Sequence, residues 1–276
     1  MSGDSDNLMM VDFGLIREDA AWMRRRVLDL ALSAGASGAH LGGSLSLVEI
    51  LAVLYHFISA ENGDDRDRVI LSKGHGAMAL YTVLERHGIM TPETVNTFET
   101  RGTHLFAHAS RDIGRGVEFS GGSLGLGISF GAGVALSCKE AQKKNRIYII
   151  VGDGEANEGI FWETLLAIKH YKLDNITVIM DRNGLQADGP TDEVLDMEPL
   201  ETKFEAFGFR TLSVDGHDVE ALAGAMESCL ETGPNMIIAR TVKGKGVSFM
   251  EGVPSWHHGV LSGKKYEKAI GELNQE

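Results

Sequence analysis

Asp153 and Asn183 are where a chemical reading of this 276-residue chain starts. Asp153 sits in Gly152-Asp153-Gly154, directly after the apolar run 147–151. Asn183 sits in Asp181-Arg182-Asn183-Gly184, directly after the apolar run 176–180. A carboxylate, an amide oxygen and neighbouring backbone carbonyls form a hard-oxygen set. Such a set holds Mg²⁺ and leaves part of its octahedral shell to phosphate oxygens and water. Asp-Gly and Asn-Gly pairs also cap helices and shape turns, so the pair means little without its context. The second chemical set is histidine. His40, His75, His104 with His108, and His257 with His258 all fall in glycine-rich or irregular stretches. Imidazole moves protons near neutral pH and donates to a developing alkoxide. The chain has no H-x-x-H or H-E-x-x-H spacing that would read as a zinc site.

The elements that must position these groups can be read from periodicity. Residues 147–151 and 176–180 are short continuous apolar runs, the pattern of strands buried on both faces. Residues 158–171 between them show helical periodicity. This is a βαβ unit, whose right-handed crossover brings both strand ends to one edge of the sheet. Ligands of open parallel sheets bind at that edge, so Asp153 and Asn183 are expected to share a crevice. A second strand–loop–helix unit spans 69–87, with Ser72-Lys73-Gly74-His75-Gly76 as its loop. Further strands are expected at 209–214 and 236–240. Helices are expected at 17–33, 47–57 (with Ser46 as N-cap), from the glycine-rich stretch 119–133 to about Lys139, at 219–231 (with Asp218 as N-cap) and near the C-terminus. The small-residue stretch 34–46 is expected as a loop, because two adjacent glycines oppose a helix interior. Residues 1–13 read as a tail. Strands alternating with helices predict one α/β domain over 1–276, a doubly wound, mainly parallel sheet flanked by helices.

Composition narrows the partners. A net charge of −13 argues against nucleic acid, which calls for a basic face, and against an anionic membrane surface. No apolar run reaches membrane-spanning length, and the polar N-terminus has no secretory pattern. A cytoplasmic protein is expected. Cys138 and Cys229 suit reduced thiols and no disulfide framework. Arg24-Arg25-Arg26 reads as a solvated or salt-bridged face.

The full pattern is more specific than any one motif. GDG after a strand, N-E-G opening the helix and D-x-N-G at the next strand end resemble the thiamine diphosphate signature of transketolase-like enzymes. The likeness extends along the chain. H-L-G-G-S-L-S and L-S-K-G-H-G-A resemble the family's first two histidine loops and give His40 and His75. F-A-H-A-S stands where the family has G-H-P and gives His108, with His104 as the alternative. Ala107 and Ala109 depart from that pattern. S-G-G-S-L-G-L-G resembles the family's T-G-x-L-G-Q-G loop, with Gly121 and Leu126 in place of threonine and glutamine. T-V-K-G-K-G-V-S-F-M-E-x-x-P-x-W-H gives His257, with His258 one step away.

This resemblance implies a cofactor site of Gly152, Asp153, Gly154, Glu155, Asn183, Leu185, His75, Gly122, Ser123 and Leu124. Within it, Asp153, Asn183 and the carbonyl of Leu185 would hold Mg²⁺, with Ca²⁺ or Mn²⁺ as substitutes. It implies ketol transfer from a ketose to an aldose. His40 and His257 or His258 would serve proton transfer and oxyanion contact, and His75 and His108 would lie near the diphosphate and the donor's hydroxyls. The motifs stop at the diphosphate-binding half. The expectation is therefore the N-terminal subunit of a split transketolase. A C-terminal partner chain would carry the pyrimidine-binding domain and the glutamate that activates the cofactor, in an α2β2 assembly. Glu158, and less directly Glu155, would lie near that interface. The rival readings are the α subunit of a 2-oxo-acid dehydrogenase, a sulfosugar or branched-sugar transketolase, a deoxyxylulose-phosphate-type synthase subunit, and a non-enzymatic partner that has kept the fold.

Overall fold

Five short β-branched-rich runs pair side by side to make the scaffold: β1 (Arg68–Leu71), β2 (Ile147–Gly152), β3 (Ile176–Arg182), β4 (Arg210–Asp215) and β5 (Asn235–Arg240). All run parallel, in the order β1-β2-β3-β5-β4. The computed structural model describes residues 11–58, 65–230 and 233–275. Before β1 come α1 (Phe13–Ser33), α2 (Leu41–Leu45) and α3 (Val48–Phe57). Between β1 and β2 lie α4 (Ala77–Arg86), α5 (Pro92–Val95) and α6 (Leu126–Glu140). Next come α7 (Gly159–His170), α8 (Thr191–Leu195), α9 (Leu200–Ala206), α10 (Val219–Ser228) and α11 (Gly263–Leu273).

Side chains alternate across a strand, so each strand feeds two cores. Val69, Leu71, Ile150, Ile179 and Ile237 pack under α1, α3, α4 and α10. Ile70, Ile149, Val151, Val178 and Ile238 pack under α6, α7 and α9. The strands are buried on both faces, as their unbroken apolar runs predict, and helices flank both sides of the sheet. β4 pairs only with β5 and alternates in exposure, as an edge strand does. The small residues Gly127, Gly131 and Ala135 of α6 are buried where that helix packs on β1 and β2. Among the described residues no helix is long and apolar enough to cross a membrane.

Three expectations change. Most of the tail expected at 1–13 lies outside the described residues, but its end is helical: Asp12 caps α1, accepting from the Leu15 amide at 3.1 Å. The expected loop 34–46 contains α2, despite Gly42-Gly43. A Cβ on Gly43 would come within 2.6 Å of the His75 ring, and one on Gly42 within 2.9 Å of the Trp256 carbonyl. Close packing here outweighs the roughly 1 kcal/mol per glycine that helix propensity opposes. Ser46 ends α2 instead of capping α3, which starts with no side-chain cap. The arginine run is tied down. Arg24 pairs with buried Glu49, Arg25 reaches Asn274 and Arg26 reaches Glu85 and Asn96.

Candidate active site

Because the strands are parallel, the loops after β1, β2, β3 and β5 emerge at one edge, where they enclose a cleft of about 380 Å³. The walls meet closely: Gly74 of the first loop lies against Gly121, and a Cβ on Gly121 would fall 2.5 Å from the Gly74 Cα. His75, His108, Gly122, Leu124, Asp153, Asn183, Leu185 and His257 all line this cleft.

Beneath it is a buried ion pair that sequence reasoning does not single out. Asp181 at the end of β3 is fully buried, as is Lys73, and the two are paired. The Asp181 carboxylate accepts from Lys73 Nζ, from Thr241 Oγ1, from Ser46 Oγ at 2.7 Å and from Asn183 Nδ2 at 3.2 Å. Burial pushes its pKa up, but the ammonium and the donated hydrogen bonds outweigh burial, and Asp181 sits below the usual carboxylate range. Lys73 also donates to the Gly43 carbonyl at 3.0 Å. One carboxylate thus fixes the ends of β1, β3, β5 and α2. Lys73 lies inside a motif read for its histidine, and Asp181 inside one read for its asparagine. A lysine and an aspartate ending two strands of one parallel sheet are the signal that could have found the pair.

Above this base stands the oxygen set. Asp153 Oδ1 accepts from the Gly154 amide at 2.8 Å and Oδ2 from the Gly184 amide at 2.6 Å. Burial, and then the charge of Asp181, raise the Asp153 pKa above its ordinary value. The Asn183 side-chain oxygen accepts from the Leu185 amide at 3.1 Å. Lys243, also missed from sequence, donates to the carbonyls of Leu185 at 3.0 Å and Gln186 at 3.2 Å and to His257 Nδ1 at 2.9 Å. Burial, then repulsion by Lys73, lower its pKa to about 8.

The remaining end holds five imidazoles. His40 lies at ring distances of 6.1 Å from His75, 4.8 Å from His108, 5.6 Å from His257 and 4.7 Å from His258. Burial, then the neighbouring His108, lower His40 to about 3. Burial, then Lys243, lower His257 to about 4. His75 is also held well below its ordinary value, burial first and Lys73 next. These three rings are neutral at pH 7. An ammonium can only donate, so Lys243 fixes the acceptor at His257 Nδ1 and leaves the proton on Nε2. Both His257 and His258 join the cluster. His104 does not: it is exposed in a separate depression with Thr94 and Thr97.

A model of the transketolase thiamine diphosphate binding domain matches residues 18–271. The chain belongs to the transketolase family. It is 38% identical over 91% of its length to one of the two kinds of chain of an apulose-4-phosphate transketolase, from Phocaeicola vulgatus, of which 91% is covered. It is 38% identical over 86% of its length to the 6-deoxy-6-sulfo-D-fructose transketolase subunit SqwG of a Clostridium species, of which 89% is covered. The crystal structure of transketolase from Campylobacter jejuni superposes with a TM-score of 0.88 at 29% identity, covering 95% of this chain and 43% of that one. This transketolase chain thus corresponds to one subunit of the split enzymes, matched nearly end to end by separate subunits and by less than half of the longer enzyme. Membership sets aside the 2-oxo-acid dehydrogenase reading.

The two glutamates of the transketolase motif diverge in the structure. Glu155 is buried, its carboxylate taken up by the Ser72 hydroxyl, the Gly125 amide at 2.8 Å and the Gly152 amide at 3.2 Å. It ties the loops after β1 and β2 to the start of α6. Glu158 is exposed at the cleft rim, near Leu124 and Leu126, which are 38% and 45% exposed.

Proposed function

We propose that this chain is the diphosphate-binding subunit of a two-subunit, thiamine diphosphate- and Mg²⁺-dependent transketolase. The carrying observation is the cleft at the strand ends, with an oxygen set at one end and neutral imidazoles at the other. Its residues fit the ligand. Nδ1 of His108 and Nδ2 of Asn157, both on the cleft, are buried without hydrogen-bond partners among the described residues, as is Nδ1 of His40. Unsatisfied buried polar groups are costly, and the oxygens of a bound diphosphate would relieve them. Asp153, the Asn183 side-chain oxygen and the Leu185 carbonyl make the hard-oxygen set that suits Mg²⁺. The Leu185 carbonyl keeps one lone pair after accepting from Lys243. Lys243 also places a cation where phosphate charge would gather. Gly152, Gly154, Gly122, Ser123 and Leu124 complete the cofactor's bed.

Bound thiamine diphosphate supplies the carbon nucleophile of the reaction. This chain's residues hold and orient around it. His40 and His258 are placed to hold the proton of the ketose hydroxyl next to the bond that breaks, and His257, with its proton on Nε2, donates to the substrate's oxygens. His75 and His108 border the diphosphate end. The partner supplies the pyrimidine pocket and the activating carboxylate, and Glu158 with Leu124 and Leu126 faces it. An α2β2 assembly is the expected form. The two subunit relatives are named for sugars with different termini, so the donor class is a ketose, with a phosphate or sulfonate terminus read largely by the partner.

The test is reconstitution. The chain and its partner are mixed with Mg²⁺ and thiamine diphosphate, and aldose release is followed across phosphorylated and sulfonated ketoses. Turnover that needs both chains supports the reading. Full turnover by this chain alone, or none with any ketose despite cofactor binding, overturns it.

A further inference from the structure

A second cluster lies at the opposite end of the sheet. α4 leaves the cleft beside His75 and runs back along β1 for ten residues, about 15 Å at 1.5 Å per residue. His87 follows its last turn. There it meets His56 from the end of α3 and Asp19 from the first half of α1. The ring centroids of His56 and His87 are 5.3 Å apart, at 77° to one another. His56 Nε2 lies 2.8 Å from Asp19 Oδ2. The other Asp19 oxygen accepts from Arg86 Nε, which orients the carboxylate. Nε2 of His87 is buried with no hydrogen-bond partner among the described residues. One ligand atom from each of the three residues lies within 4.8 Å of the other two.

We infer that Asp19, His56 and His87 form a binding site for a divalent d-block cation, separate from the Mg²⁺ site, that joins α1, α3 and α4. Two imidazoles and one carboxylate favour Zn²⁺, Co²⁺ or Ni²⁺ over Mg²⁺, which prefers oxygen ligands. Donors about 2.1 Å from a tetrahedral ion stand about 3.4 Å apart, so small side-chain rotations close the site. The charge is suitable: Asp19 and Glu18 against Arg86 leave a net negative locus for a dication. Three protein ligands leave one position for water. A bound ion gives the orphaned His87 nitrogen its partner and converts a contact between three helices into a coordinate cross-link.

The experiment is Co²⁺ titration of the chelator-treated full chain, reading the visible d–d absorption of a four-coordinate ion, with melting temperature followed under Zn²⁺. His87→Gln is the informative variant, because its unpartnered Nε2 contributes no hydrogen bond to the fold. It is expected to melt like the parent without metal, to lose about 100-fold in Co²⁺ affinity and to lose the Zn²⁺-induced rise in melting temperature. His258→Ala, which alters the cleft cluster, is expected to keep both signals. An absorption band that survives in His87→Gln, vanishes in His258→Ala, or never appears in the parent chain overturns the inference.

Discussion

Two aspartates end neighbouring loops of the same sheet, one peptide step apart in register, and have opposite electrostatic fates. Asp181 pairs across the sheet with Gly152, immediately before Asp153, whose amide donates to the Asp181 carbonyl at 3.3 Å. Asp181 has a buried ammonium and three further side-chain donors, and its pKa is lowered. Asp153 has two backbone amides and the more distant Arg182 at 3.6 Å, and its pKa is raised. The saturated carboxylate has nothing left to offer a ligand and serves as scaffold. The under-compensated one gains most from a cation. Two acids with the same side chain therefore divide the work of structure and of ligand binding according to how many donors the fold aims at each.

Substitution of Asp153 should break this division most visibly. Asp153→Ala is expected to leave the circular dichroism spectrum and melting temperature near those of the parent. It should abolish calorimetric binding of thiamine diphosphate with Mg²⁺, and with it turnover in the presence of the partner. Normal cofactor affinity in that variant would refute the metal assignment. Asp181→Asn should do the reverse. Removing one member of a buried pair strands the other charge and typically costs about 3–5 kcal/mol, so the unfolding free energy from urea titration should fall by that much. The double change Asp181→Asn with Lys73→Met should recover most of the loss, since no uncompensated charge is left. A double variant less stable than either single one would mean that Lys73 and Asp181 do not act as a pair.

The same contrast explains how much could be read from the sequence. Asp153, Asn183 and the βαβ unit around them were legible because glycine punctuation and unbroken apolar runs are local signals. The parallel arrangement followed from strand–helix alternation. Lys73, Asp181 and Lys243 were not legible, because a buried charge is specified by partners distant in sequence: Lys73 and Asp181 stand 108 positions apart. Helix α2 was hidden for a related reason. Its glycines oppose a helix locally and are required by the packing of His75 and Trp256 against them. Of the alternatives left open by spacing, the structure separates His104 from the cluster and keeps both His257 and His258 in it.

Glu155 sharpens the comparison at a smaller scale. Like Asp181 it is buried and saturated, but its hydrogen bonds come from neutral donors only, and burial still leaves its pKa raised. Glu155→Gln replaces an acceptor with a group that is half donor, facing two amides and a hydroxyl. One buried hydrogen bond misplaced costs about 1–3 kcal/mol, less than the loss expected at Asp181. Cofactor affinity should change little, measured by the same calorimetric titration. A loss of affinity as large as that of Asp153→Ala would move Glu155 from the scaffold into the ligand set.

The smallest effect comes from the histidine end, where no acid compensates anything. His40 and His257 are held to about 3 and about 4 in the folded chain, against about 6.5 when unfolded. Between those limits the unfolded chain binds protons that the folded chain refuses, so stability falls as pH falls. The contribution is intact above about pH 6.5 and is lost progressively as pH drops toward the folded values. Each ring contributes at most about 1.4 kcal/mol per pH unit, and less here, because both are partly open to water that screens them. Urea midpoints at pH 7, 6 and 5 should therefore decline in the parent chain. They should decline less steeply in His40→Asn, which cannot take up a proton in the unfolded state. Equal acid slopes in the two proteins would show that the neutral imidazole of His40 is not a source of acid sensitivity. That role would then pass to carboxylates held below their ordinary range, Asp181 and Glu49, whose stabilisation is likewise lost as pH falls. Asp153 cannot take it: a group whose folded pKa is raised holds its proton longer when folded and gains relative stability as pH falls.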